Sequence, residues 1–323
     1  MKIMNLSTRF NAALTMAIAA AACGILPATL HAAEQQRSFA SPEDAIAALR
    51  EATQAQDDKT ALDQIFGPDA KLLRTGDKVE DANHSAKFAK ALAEGCQPVP
   101  EGDNKIILEI GTNNWPFPIP LVKTDSQWHF DTDAGKEEII NRHIGKDELH
   151  AIGVCSAYVD AQRQYATLNA DGSGVVKYAQ KFKSTSDKKD GLYWKTAAGE
   201  TASPFGELVA EAHAEGYGHN KPGSGPHPYH GYIFRILTRQ GKDAPGGKMN
   251  YMSHGNLTKG FALVAYPENW DQSGIMTFMV NQDGKIYQRN LAEKTAEIAG
   301  SMKEYNPDGE WTLVQDQGMF EKE

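Results

Sequence analysis

Histidine is the side chain whose spacing in this sequence first suggests chemistry. His219, His227 and His230 lie between Gly218 and Gly231, with His213 just upstream. Imidazoles this close can converge on one transition-metal ion. The stretch holds no carboxylate or thiol and no helical i,i+4 pair, so solvated loop histidines are the better reading, and no metal site is assigned. Asp171-Gly172-Ser173-Gly174 begins like a calcium loop. Val175 and Lys177 then stand where oxygen ligands belong, and Phe182 replaces the closing Glu, so a helix-ending turn is the better reading. Asp133-Ala134-Gly135-Lys136 carries the Gly-Lys of a phosphate loop, with Phe130 in place of its first Gly and Glu137 in place of Ser/Thr. An acidic helix start with Asp133 as N-cap accounts for the same residues.

The sequence contains no Gly-x-Ser-x-Gly elbow, His-Glu-x-x-His, Cys-x-x-Cys or dinucleotide fingerprint. No catalytic residue and no cofactor is assigned. Carboxylates are plentiful, but one sequence does not show which two face each other across a cleft. The binding candidates are aromatic: Trp115 and Phe117 in Asn114-Trp115-Pro116-Phe117-Pro118-Ile119-Pro120, then Trp128, Trp194 and Tyr229, with His230 beside the last. Cys96 and Cys155 could pair in an oxidising compartment, closing a long loop worth ~4 kcal/mol in the chain-entropy model. Free thiols, with Cys155 buried on a helix, are the alternative.

These residues sit on an α+β pattern. Ser41-Pro42-Glu43-Asp44 starts a helix, with Ser41 as N-cap, Pro42 in the first turn and acids at the positive end. Further helices are predicted over 60–66, stopping at Gly67-Pro68, and over 82–93, ending at Gly95. Strands follow at 105–110, 118–123 and 127–130, the last two joined at Asp125-Ser126. Prolines at 116, 118 and 120 delete alternate backbone donors, which suits a guarded sheet edge or an aromatic binding ledge. Residues 134–168 read as one long helix or two abutting ones, with Gly145 and Gly153 as weak points. Leu149, Ile152, Cys155, Val159 and Gln162 form its stripe, and Asp147, Glu148, Asp160 and Arg163 fall largely outside it. Residues 171–230 are loop-rich around one helix at 204–214. Strands are expected at 232–237, 261–266, 275–280 and 285–289, with a hairpin turn at Asp283-Gly284, a helix at 292–305 and a short strand at 311–314.

The first 32 residues have the pattern of a secretory leader: Lys2 and Arg9, an Ala-rich apolar run, Pro27, and a small-residue cleavage site at Leu30-His31-Ala32. Lipid attachment at Cys23 is the minor alternative, since no Leu stands three residues before it. Cleavage after Ala32 leaves 291 residues without a membrane span, expected in the periplasm. The chain carries a net charge of −9, and losing the two leader cations makes that −11, which argues against nucleic acid as a partner. Length suggests two domains, 33–140 and 141–323, after the leader at 1–32.

Several long blocks carry a resemblance. They include Asn114 to Val122, Trp128 to Ile139, Ala157 to Ala166, Asp190 to Trp194, Pro228 to Tyr232, Gly260 to Pro267 and Ser273 to Phe278. Together they resemble the bacterial exported family catalogued as domain of unknown function 2950, over about residues 38–316. That resemblance implies an exported protein without assigned catalytic residues, and a partner that is another exported envelope protein. The first half is also similar to cone-shaped domains of the nuclear transport factor two-like kind, with helices over a curved sheet. The second half resembles a type IV pilin head, a long helix followed by an antiparallel meander, without the apolar stem of a pilin. The expectation is a non-catalytic envelope assembly or interaction module. The alternative is a small-molecule or glycan-binding protein, or a hydrolase, with its site in the cone or between domains. A deep pocket lined by Trp115 or Trp128, with converging carboxylates, distinguishes the alternative; a filled cone with a flat apolar patch distinguishes the first reading.

Overall fold

Three short helices begin the described chain, each started by a side chain that satisfies otherwise unpaired backbone N–H groups. In this computed structural model residues 36–55, 57–169, 174–197, 199–217 and 227–315 are described. Helix α1 (Pro42–Gln54) is capped by Ser41, whose hydroxyl accepts from the Asp44 N–H at 3.1 Å. Helix α2 (Asp58–Phe66) is capped by Asp57 and ends at Gly67 with φ 77°. Helix α3 (Lys78–Glu94) starts four residues earlier than its apolar pattern indicates, because Asp77 caps it through the N–H groups of Val79 and Glu80. That shift brings Glu80 into a helix rather than a loop.

The helices pack on an antiparallel sheet of β1 (Cys96–Pro100), β2 (Lys105–Ile110), β3 (Trp115–Pro116), β4 (Leu121–Thr124) and β5 (Gln127–Phe130). Its order is β1-β2-β4-β5, with β3 also on β2. Strand β1 was not expected; Pro98 and Pro100 are tolerated because it is an edge, paired only with β2. Ile106, Leu108 and Ile110 of β2 alternate inward onto Leu49, Ile65, Phe66, Leu92 and Phe130. The hairpin of β4 and β5 turns at Asp125 and Ser126, both at positive φ.

Helix α4 (Thr132–Leu168) is a single helix of 37 residues, ~55 Å long, and passes Gly145 and Gly153 without a break. Its N-cap is Asp131, whose carboxylate accepts from the Ala134 N–H at 3.2 Å; Asp133 lies instead in the first turn and pairs with Lys136. Lys136 also pairs with Asp69, so the Gly-Lys dipeptide belongs to a helix start and not to a phosphate loop. Gly135 is needed for closeness: a Cβ there would lie 2.5 Å from the Pro118 carbonyl oxygen.

The C-terminal half of α4 covers one face of a second antiparallel sheet. This sheet contains β6 (Tyr232–Leu237), β11 (Ala262–Pro267), β12 (Met276–Asn281), β13 (Tyr287–Asn290) and β14 (Thr312–Leu313), in the order β14-β13-β12-β11-β6. Two-residue ladders, β7 (Arg239–Gln240) with β8 (Met249–Asn250) and β9 (Met252–Ser253) with β10 (Asn256–Leu257), lie between them in sequence. Leu263 and Ala265 of β11 pack toward Cys155, Tyr158 and Val159 of α4. Ala262, Val264 and Tyr266 pack on the other face against Ala299, Tyr305 and Trp311. Burial on both faces explains the uninterrupted apolar run. The helix expected over 292–305 is shorter: a 3₁₀ turn (Ala292–Lys294) and α6 (Thr295–Ser301). Helix α5 (Gly206–Ala214) completes the set. Among the described residues no helix is long and apolar enough to cross a membrane.

Candidate functional site

Two features adjoin along the N-terminal half of α4. The first is a cavity of about 760 Å³ between α2, α3, α4 and the proline-rich segment. Leu62, Phe66, Phe88, Phe117, Ile119 and Ile139 make its apolar walls. Five basic side chains line it (Lys59, Arg74, Lys78, Arg142 and Lys146) against two acids, Asp58 and Asp81. Both acids are already engaged: Asp58 accepts from the Ser85 hydroxyl, and Asp81 accepts from the Thr75 N–H and hydroxyl and the Gly76 N–H. Trp115, 38% exposed, also lines the cavity, with the Arg142 guanidinium 5.6 Å from its ring centroid. The size lies within the ~300–1,000 Å³ range of small-molecule pockets.

The second feature is a buried polar cluster that meets the cavity at His84, His143 and Lys146. Helix α3 contributes Glu80 and His84, one turn apart. Helix α4 contributes His143, Lys146, Asp147 and His150, and the chain between α5 and β6 contributes Glu215, Tyr217, Tyr229 and His230. Asp147 is fully buried, and neither of its oxygens has a hydrogen-bond partner among the described residues. Glu80 Oε2 and the Nδ1 atoms of His84, His150 and His230 are likewise buried and unpartnered. Native interiors leave few such atoms, and six belong to this cluster. The donors of Asp147, His150 and His230 all lie within 4.8 Å of one another. Glu80 Oε1 is 3.8 Å from His230 Nδ1 and 3.4 Å from Lys146 Nζ.

The surrounding chain fixes this arrangement. His230 Nε2 and Glu215 Oε2 are 2.9 Å apart; donation from Nε2 leaves the Nδ1 lone pair directed inward. The Tyr217 hydroxyl donates to Asp77 Oδ2 at 2.9 Å and accepts from the His230 N–H at 3.2 Å, so the cap of α3 also holds this segment. Gly231 has φ 67°, and a Cβ there would meet Asp147 Oδ2 at 2.8 Å and Ser273 Cβ at 2.6 Å. The imidazoles of His150 and His230 lie 3.9 Å apart by ring centroids, and those of His84 and His143 stack at 4.8 Å.

Electrostatics follow from burial. Burial, then the facing Glu80 carboxylate, pushes Asp147 up to about 9. For Glu80 burial acts upward, but contact with His230 and the charges of His84 and Lys146 outweigh it and hold the group low. Burial, helped by neighbouring imidazoles, brings His84 and His150 down to about 4, and burial also lowers His143. The cluster therefore sets His84, His143 and His150, all lowered, beside two carboxyl groups of opposite tendency, Asp147 holding its proton and Glu80 releasing it. Such a set can hold a divalent transition metal or relay a proton.

The aromatic and histidine candidates from the sequence divide by location. Trp115 and Phe117 line the cavity, and Tyr229 and His230 belong to the polar cluster. Trp128 is buried against Phe39, and Trp194 lies in the core under α4. His213 contacts the Tyr217 carbonyl at 2.9 Å; His219, the 171–173 part of the calcium-like loop, and the leader with Cys23 fall outside the described residues. Cys96 and Cys155 are free and belong to different cores. Sequence reasoning missed Glu80, His84, His143, Lys146, Asp147 and His150. The available signal was His143, Asp147 and His150 at i, i+4 and i+7 on one helical face. Asp147, placed outside the apolar stripe, is instead among the most buried residues of α4.

The fold and site define an α+β protein with an apolar, basic-lined cavity beside a buried carboxylate–imidazole cluster. Residues 36–314 match the family described as protein of unknown function DUF2950, and the chain belongs to that family. No curated protein and no solved structure matches it.

Proposed function

We propose that this chain, exported by the leader in its first 32 residues, is a binding protein for a small anionic amphiphile. The cavity carries this reading: its walls are apolar and aromatic, its basic side chains outnumber its acids, and both acids are engaged by neighbouring donors. An apolar ligand body gains ~25 cal/mol per Å² buried, while a carboxylate, sulfate or phosphate head meets Lys59 or Lys78, since Arg74, Arg142 and Lys146 are already paired with Asp63, Glu138 and Glu80. Cavity and converging carboxylates together favour small-molecule binding over the envelope-interaction module. In this reading the first half works as a cone-like receptacle and the pilin-head-like second half as the scaffold that braces α4.

Calorimetric titration with dodecanoate tests the proposal, with dodecyltrimethylammonium as the cationic comparator. Saturable binding of dodecanoate at micromolar concentration is expected, with the cationic comparator weaker and Leu62→Trp, which fills the cavity, abolishing binding. Equal response to both amphiphiles, or unchanged binding in Leu62→Trp, contradicts the reading.

A further inference from the structure

We propose that Asp147, His150 and His230, completed by Glu80, form a binding site for one divalent transition-metal ion of the zinc class. Three independent observations meet there. Donor atoms from two parts of the chain distant in sequence converge: Asp147 and His150 lie one turn apart on α4, and His230 precedes β6. Asp147 is fully buried with both oxygens unpartnered, and His150 and His230 each keep an unpartnered Nδ1, while Glu80 accepts from Lys146 on Oε1 and keeps only Oε2 unpartnered. Glu215 pairs with the far nitrogen of His230 at 2.9 Å, the carboxylate–histidine arrangement that orients a metal-binding imidazole.

The donor set selects the ion. Two imidazoles with carboxylate oxygen suit Zn²⁺ and its first-row neighbours, whereas Mg²⁺ and Ca²⁺ prefer oxygen alone. A closed tetrahedral shell places its donors about 3.4 Å apart. The present spread of up to 4.8 Å therefore contracts on binding. Gly231 allows the approach, because any side chain there would press on the Asp147 oxygen.

The inference stands apart from amphiphile binding: loss of the ion need not abolish dodecanoate binding, and Leu62→Trp need not alter metal uptake. The test uses the full chain, stripped with chelator. Equilibrium dialysis measures Zn²⁺ uptake against excess Mg²⁺, and Co²⁺ reports ligand geometry through its visible absorption. One Zn²⁺ per chain and a Co²⁺ spectrum of nitrogen–oxygen ligation are expected. Asp147→Asn and His230→Ala should weaken uptake more than 100-fold. Glu215→Gln, a positioning change that keeps the ligands, should weaken it about 10- to 100-fold. His129→Gln, on β5 away from the cluster, should leave it unchanged. Absence of Zn²⁺ uptake by the unaltered chain overturns the proposal. So does full uptake by Asp147→Asn, whose uncharged isostere has the size of the Asp147 side chain and is expected to keep the fold.

Discussion

Two glycines on α4 offer a paired test of how this helix is seated. At Gly135 a Cβ would meet three backbone atoms: the Pro118 oxygen at 2.5 Å, the Pro118 carbonyl carbon at 2.6 Å and the Ile119 nitrogen at 2.7 Å. Backbone cannot rotate away, so Gly135→Ala must push the start of α4 off the segment before β4. Overpacking costs ~1–3 kcal/mol, and immovable neighbours place this site at the upper end. Alanine's better helix propensity offsets ~1 kcal/mol, leaving a net loss of about 2 kcal/mol. At Gly145, ten residues further along, a Cβ would meet nothing within 4 Å. Gly145→Ala should therefore stabilise by ~0.5–1 kcal/mol. Urea denaturation at constant m-value measures both, and Gly135→Ala should lower Tm by about 3 °C. Ile139, Arg142 and His143 follow Gly135 and line the cavity, so dodecanoate binding should weaken in Gly135→Ala alone. Stabilisation by Gly135→Ala, or the same sign for both variants, would refute the seating of α4 against Pro118.

The polar cluster predicts a stability optimum in pH for chelator-treated protein. His84, His143 and His150 are lowered from 6.5, so the unfolded chain binds more protons and stability rises as pH climbs to about 6.5. Asp147 is raised to about 9, so the native state keeps a proton the unfolded chain releases, and above pH 6.5 stability should fall by up to ~1.4 kcal/mol per unit. Urea midpoints between pH 5 and 8 read both limbs; a falling limb that survives Asp147→Asn would remove Asp147 as its source. Gln162, fully buried, holds both the N–H and the carbonyl of Ala179 at 2.8 Å. Gln162→Leu should cost ~2–4 kcal/mol in denaturant unfolding, and a loss below 0.5 kcal/mol would show that these groups find other partners. A thiol reagent followed by peptide mapping should label half-buried Cys96 in the folded protein and Cys155 only after unfolding, since burial both covers the Cys155 thiol and pushes its pKa up. Equal labelling of the two would contradict the buried placement.

Element boundaries were readable where local chemistry decides them. Ser41-Pro42, the Asp125-Ser126 turn and the strands at 105–110, 127–130 and 232–237 carry their own caps, turns and alternation. Strand β1 was hidden because prolines speak against a strand until its edge position is known. The polar cluster was hidden for a different reason. Asp147 lies beyond the apolar stripe of α4, and only the approach of α3 and of the chain before β6 converts that polar side into interior. Glu80 was hidden because Asp77 extends α3 beyond its apolar pattern. Charged residues become a site here by convergence over about 150 residues of sequence, which no local spacing records.

Because α4 is one rod shared by both cores, it also governs how the chain can be divided. Phe66 and Phe130 lie in the core near its first turns, and Tyr158 and Leu263 in the core beneath its last. A cut anywhere within 132–168 strips structural support from both fragments at once. Moving either half into another chain would require carrying the whole rod with it.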